Sequence, residues 1–342
     1  MLDHRGNSYR VALVLLGAFL LAAPRSGQAI LMSPRIGIDA APQRHAYILS
    51  QLQFKAPWTV QELPLVQGGR KRVLQGPLTG FCTHGPFTYT LLSDSISPRG
   101  SLYVSGFFGP HCEAGVEGFA PDADGNVPPI SRVAGNRTGL KLPLSIAFDR
   151  FGRLYVSQGQ LGIHRSRPGQ IDVFAVGAHG NVAPIAVIMG ARTQIPEAST
   201  PFVAVDENGA IFVTFSEHNS TVVVLKFAPG SNGNVAPLRS TQIANGGINE
   251  IQAAGDTLYG AGAFESEGVV FKLRTSDLSV TDTITNPDFI AIHAAPDREG
   301  RVYVQTLEGI DSKLFVYPPN SNTPKESIVD GIGGSGYVVV GP

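Results

Sequence analysis

Apolar residues in this chain come in short runs separated by turns built from glycine, asparagine and aspartate. Ile146-Ala147-Phe148 and Val203-Ala204-Val205 carry no polar alternation, a pattern that suits strands covered on both faces. Each run leads into Asp-x-x-Gly, at Asp149 to Gly152 and at Asp206 to Gly209. Aspartate can accept from the backbone N–H two residues on, and glycine tolerates positive φ, so the chain turns there. Leu154-Tyr155-Val156 and Ile211-Phe212-Val213 follow, and their β-branched and aromatic side chains predict the returning strand. Val222-Val223-Val224-Leu225 starts a third strand. Gly-Asn then predicts a hairpin into a fourth, such as Ile185-Ala186-Val187-Ile188.

This order of elements recurs. The phrase from Asp149 to Ser157 returns from Asp206 to Thr214 and from Asp297 to Gln305, with weaker copies at Pro98 to Ser105 and Gly255 to Tyr259. Its aromatics, Tyr103, Tyr155, Phe212, Tyr259 and Tyr303, are spaced by 52, 57, 47 and 44 residues. A second phrase, Gly-Asn-Val-x-Pro, runs in step at Asn126, Asn181 and Asn234, with a degenerate copy near Asn320. Such a period fits one four-stranded unit per repeat. A unit that is apolar on both faces cannot stand alone, so neighbours must stack and the stack must close on itself. An open solenoid has shorter coils, and the strands of a sandwich need not repeat. The expected fold is an all-β, six-bladed β-propeller. Five copies are legible; residues 45–75 supply outer strands and the tail Gly336-Tyr337-Val338-Val339-Val340 an inner or second strand of the remaining blade, so that N- and C-terminal strands pair.

The string Pro143 to Ser157, Pro-x-x-Ile-Ala-Phe-Asp-x-x-Gly-x-Leu-Tyr-Val-Ser, resembles the NHL-type repeat. From about Ser97 to Pro324 the chain is similar to the six-bladed, TolB-like propeller superfamily. The resemblance implies a fold and selects no activity, because that superfamily includes binding modules, gluconolactonase-like hydrolases and amidating lyases.

Composition agrees with an all-β chain: 40 glycines, 25 prolines and only 15% charged residues. The net charge of −1 makes no electrostatic case for nucleic acid or an anionic membrane. Arg5 and Arg10 precede an apolar run from Val11 to Ala23, too short to span a bilayer, and Gly27-Gln28-Ala29 offers small residues for cleavage. We expect residues 1–29 to be a signal peptide, residues 30–342 to be one propeller domain, and the mature protein to be a secreted or periplasmic monomer without membrane insertion. In that compartment the two cysteines, Cys82 and Cys112, are expected to form a disulfide.

Candidate chemistry falls on the loops between second and third strands and on those that join blades, where propellers commonly bind a protein or small-molecule ligand. Paired aromatics Phe107 and Phe108 offer contact area with few rotamers to freeze, and Arg137, Arg165 and Arg192 lie on neighbouring loops. These residues support a non-catalytic binding module. The alternative is a metal-assisted lyase or lactonase at the channel mouth. His111, His164 and His218 come from equivalent loops and would hold Zn²⁺, with Glu217 as base and His164 and His218 as catalytic candidates. A gluconolactonase-like Ca²⁺ site would draw on Glu250, Asn249 and Asp288, whose neighbours do not reproduce that family's strings. No cofactor is otherwise indicated.

Overall fold

The repeats fold as antiparallel four-stranded sheets. The computed structural model of the chain describes residues 45–50, 59–65, 70–82, 91–160, 168–197, 199–217, 220–264, 267–286, 290–308, 311–328 and 338–341. The first sheet contains β1 (His45–Ser50), β2 (Thr59–Pro64) and β3 (Arg72–Leu74). The second holds β4 (Leu91–Ile96), β5 (Leu102–Phe108), β6 (Glu113–Phe119) and β7 (Ser131–Ala134), and the third β8 (Pro143–Phe148), β9 (Leu154–Gln158), β10 (Gln170–Phe174) and β11 (Ala186–Ile188). In the fourth are β12 (Phe202–Val205), β13 (Ile211–Ser216), β14 (Val222–Phe227) and β15 (Arg239–Ile243). The fifth comprises β16 (Gly246–Ala254), β17 (Thr257–Phe264), β18 (Glu267–Arg274) and β19 (Val280–Asn286). The sixth comprises β20 (Ile290–Pro296), β21 (Val302–Glu308), β22 (Asp311–Tyr317) and β23 (Glu326–Ile328). The tail strand β24 (Val338–Gly341) joins the first sheet, antiparallel to β1, with Val338 opposite Ile48 and Gly341 opposite His45.

All of these strands belong to one compact unit, Ala41–Pro342. Innermost strands meet in cyclic order: β4 packs on β8, β8 on β12, β12 on β16, β16 on β20, β20 on β24 and β24 on β4. This is a β-propeller. Its apolar cores lie between sheets, as strands greasy on both faces require. Val116 and Val133 of the second sheet pack with Ile146 and Val156 of the third. Ile171 and Val173 of the third pack with Val213 and Leu225 of the fourth. Ala295 and Leu314 of the sixth pack with Ala46, Ile48 and Val338 of the first. Burying each such side chain contributes roughly 1.5–3 kcal/mol, all of it dependent on the neighbouring blade.

The Asp-x-x-Gly turns behave as the sequence predicts. Asp149 Oδ1 accepts from Phe151 N–H at 3.0 Å and Arg153 N–H at 2.9 Å, and Asp206 and Asp297 repeat the arrangement. The other oxygen of Asp149 accepts from Arg153 Nε at 2.5 Å and from the Tyr155 hydroxyl at 3.3 Å; Asp297 does the same with Arg301 and Tyr303. In these two repeats Tyr155 and Tyr303 pack in the core while their hydroxyls anchor the turn; Phe212 keeps the packing without the bond.

Gly-Asn acts differently from expectation. It sits inside the long loop between third and fourth strands, and only its glycine, at Gly125, Gly180 and Gly233, takes positive φ. A two-residue type I′ hairpin needs both residues there. The pair instead clasps the preceding blade. Gly180 N–H donates to Arg132 O at 2.6 Å, and Asn181 Oδ1 accepts from Arg137 N–H at 2.7 Å. The equivalents are Gly125 on Val73 with Asn126 on Leu78, and Gly233 on Val187 with Asn234 on Arg192. Each asparagine presses on a glycine of the receiving turn. A Cβ on Gly135, at φ 114°, would lie 2.5 Å from Asn181 Cγ. We expect Asn181→Ala to lower the unfolding free energy by about 1–3 kcal/mol, since it strands a backbone donor. Gly135→Ala should cost more, adding backbone strain to the clash. Urea denaturation of both variants measures this order.

Candidate functional site

The six innermost strands enclose a channel. A cavity of about 210 Å³ within it is lined by Ser93–Ile96, Ser145–Phe148, Val203–Val205, Glu250–Ala253, Pro296 and Val339–Val340. These are the later residues of each inner strand. The cavity therefore lies toward the end where inner strands turn into second strands, the end of the Asp-x-x-Gly turns. The loop-rich end favoured by sequence is the opposite one.

Local irregularity places the polar groups. Four inner strands carry a β-bulge, and the pairing resumes at Ser93, Ser145, Glu250 and His293. Bulges re-aim side chains, and these four point to the space between blades. Ser93 Oγ accepts from Ile146 N–H at 3.4 Å and Ser145 Oγ from Val203 N–H at 3.2 Å, so each serine ties its blade to the next. Glu250 and His293 replace this with a side-chain pair. Glu250 Oε2 lies 2.9 Å from His293 Nδ1, with both residues buried. Glu250 Oε1 accepts from Gln252 Nε2 at 2.7 Å, and that amide also donates to Val338 O at 2.9 Å.

Asp94 is the outlier. It stands three residues before its turn, where the sister strands carry Ile146, Val203 and Ala294. It is 3% exposed, and neither carboxylate oxygen has a hydrogen-bond partner. Burial, then repulsion by the Glu250 carboxylate, pushes its carboxyl well above the usual range, offset only by its own backbone N–H. Gln305, cross-strand from His293 and fully buried, likewise has both amide atoms without a partner. Buried polar groups are nearly always paired, so an unpaired, inaccessible carboxyl in a residue beside the cavity departs from the rule the rest of the sheet follows. Among the described residues that line the cavity there is no lysine or arginine.

Of the described residues singled out in the sequence, Glu250 lines this cavity and the others do not. Phe107 and Phe108 are 4% and 0% exposed, which removes them as contact residues. Strand β5 runs longer than expected, through Phe108, and the segment at Phe81 and Cys82 pairs beside it. Phe107 packs with Leu92, Leu142 and Leu144, and Phe108 with Phe81 and Phe119. Cys82 and Cys112 form the expected disulfide above them, with Cα atoms 5.3 Å apart. His111 is exposed on the short turn before Cys112, and Glu217 is half-buried in the turn after β13. Arg137 and Arg192 are exposed on equivalent one-turn 3-10 segments that receive the asparagine clasps. His164, Arg165, His218, Asp288 and the leader lie outside the described residues. Among the described residues no three His, Cys, Asp or Glu side chains are gathered to hold a metal ion, and no helix is long and apolar enough to cross a membrane. Asp94 and His293 belong to no sequence motif. Their signal was departure from the repeat: an acid at an Ile/Val/Ala position, and a histidine at a serine position.

No protein-family model matches the chain, and no characterised protein matches it in sequence. Solved structures do. One is a crystal structure of a nidogen/laminin complex, with a TM-score of 0.57 and 11% identity over 87% of this chain and 98% of that one. Another is the PQQ-bound aldose sugar dehydrogenase of Streptomyces coelicolor, with a TM-score of 0.53 and 16% identity over 79% and 93%. At such identities the likeness is one of fold.

Buried carboxyls shape the response to pH, among them Asp172, pushed up to about 6 by burial against hydrogen bonds from Gln158 and Gln170, and Glu117 and Asp94. Glu117, 1% exposed with Arg132 at 3.6 Å, is pushed up to about 7 by burial. An acid that holds its proton more tightly when folded stabilises the fold at low pH and loses that contribution as pH rises through the folded value. Between pH 4.5 and 7 Glu117 should cost on the order of 3 kcal/mol of stability. Asp94 adds its own loss above about pH 4. Thermal melts from pH 4 to 8 should show wild type losing stability, with Glu117→Gln and Asp94→Asn each flattening part of the slope.

Proposed function

We propose that this chain is an exported, monomeric, NHL-like six-bladed propeller that binds a small ligand in its central channel and does no chemistry on it. The observation that carries this reading is Asp94: a buried carboxyl with neither oxygen paired, in a residue that lines the channel cavity. Keeping it bare costs stability, and a ligand that pairs with it recovers that cost on binding. Export is supported by the leader-like N-terminus and by a disulfide, which persists in oxidising compartments. The binding end differs from the loop-rich end suggested by sequence, because the loop aromatics there are core residues. One observation favours a lyase or lactonase instead: the Glu250–His293 pair beside the cavity has the composition of an acid–base couple.

Expressed with its own N-terminus in a secreting host, the protein should appear outside the cytoplasm, begin at Ile30 and carry no free thiol, as mass spectrometry would show. A library of small metabolites should contain a class that raises the melting temperature by about 2–4 °C near 100-fold over Kd. The Ala147→Leu/Ala253→Leu double variant, which fills the cavity, should abolish that rise. A wild type that no metabolite stabilises, or a filled variant that responds equally, excludes a channel ligand. Turnover of the bound compound would favour the enzyme.

A further inference from the structure

We propose that the joint between the first and second blades is a pH-sensitive latch, separate from the channel: Glu117 holds the turn Gly76–Gly80 down while it keeps its proton and releases the turn on ionising. The Glu117 carboxyl lies directly beneath that turn. A Cβ on Gly80 would stand 3.1 Å from its Oε1 and 3.2 Å from its Oε2. Oε2 is buried without a hydrogen-bond partner. The third blade shows what is missing. Asp172 on β10 holds the equivalent place, two residues before Phe174 as Glu117 stands before Phe119. Gln158 Nε2 donates to one Asp172 oxygen, and Gln170 Nε2 donates to the other at 2.8 Å. Gln158 Nε2 also donates to Gly139 O of its own turn at 3.3 Å. In the second blade the strand register puts Gly106 and Gly115 where Gln158 and Gln170 stand. A carboxylate in the third blade is thus served by two amides, and Glu117 by neither.

Among the described residues the charged group acting on Glu117 is Arg132, with Nη1 3.6 Å from Oε1. That guanidinium is shared, since its Nη2 donates to Glu113 at 3.1 Å and to Phe108 O at 3.5 Å. The turn itself carries no ionisable side chain. Tyr103 of β5 packs onto Phe148 of the third blade, and Glu62 and Arg72 of the first blade pair with one another at 3.1 Å. A buried charge short of donors is costly, and lifting the turn lets water serve it. Phe81, which follows the turn, lies edge-on to Phe119 with ring centroids 5.7 Å apart and stands 6.3 Å from Phe108. Opening therefore uncovers two core aromatics, while the Cys82–Cys112 disulfide tethers the segment.

Hydrogen exchange of the full chain, read by mass spectrometry as protection factors, tests this. Protection of residues 76–82 and of Gly109, whose N–H donates to Gly80 O at 2.7 Å, should fall from pH 5 to pH 7. The fall should be about 10–40-fold, the linkage for a carboxyl held at about 7 in the closed joint and unperturbed in the open one. Glu117→Gln, an isostere of the protonated acid, should abolish the fall and leave the turn Gly135–Gly139 of the third blade exchanging as in wild type. Glu117→Leu, which cannot titrate, gives the same readout if the amide variant does not fold. Wild-type protection at residues 76–82 that is unchanged between the two pH values overturns the latch. So does a fall that survives substitution of Glu117. A loss spread equally over the turns of both blades and removed from both by Glu117→Gln is global unfolding, and it overturns the latch as well.

Discussion

Burial between sheets is the interaction on which the rest of this protein depends. Each blade is apolar on both faces, and the described core clusters join one sheet to its neighbour, including the sixth to the first. A blade taken alone would expose Phe212 or Phe271, both fully buried here, to water. The stabilising term is non-directional, so it brings sheets together without fixing their angle or height. Directional contacts add that. Serine hydroxyls tie inner strands, asparagines clasp outer ones, and aspartate–tyrosine bonds hold the turns at one end.

The candidate site arises where this scheme is broken. The position after each inner-strand bulge holds a serine that serves the next blade. In the fifth and sixth blades Glu250 and His293 occupy it and bond to one another. One residue further along, an aliphatic position is Asp94 in the second blade. These substitutions weaken a repeat that otherwise packs consistently, and departures of that kind concentrate where a protein does something other than fold. The channel supplies the rest. It is the one place where inner strands from distant blades face each other, so residues far apart in sequence act on one small volume.

The loop-rich end shows the opposite lesson. A pair of aromatics near a disulfide reads as a contact surface. In the folded chain the disulfide-linked segment lies over them and makes them part of the core. The arginines nearby are exposed, and their backbone N–H groups belong to the clasps, so their position is set by blade packing.

The sequence alone determined the repeating unit: its strands, its aspartate turns, its period, and the pairing of the two cysteines. These follow from local rules, since alternation, turn chemistry and spacing act over a few residues and show in the order of the letters. The role of Gly-Asn was beyond that reach, because its partners are about fifty residues away on another blade. So was the site. Asp94, Glu250 and His293 share no motif, and only the closing of the inner strands around one axis brings two acids to the same cavity and an imidazole against one of them. Proximity across the channel is a property of the ring, and no stretch of chain contains it.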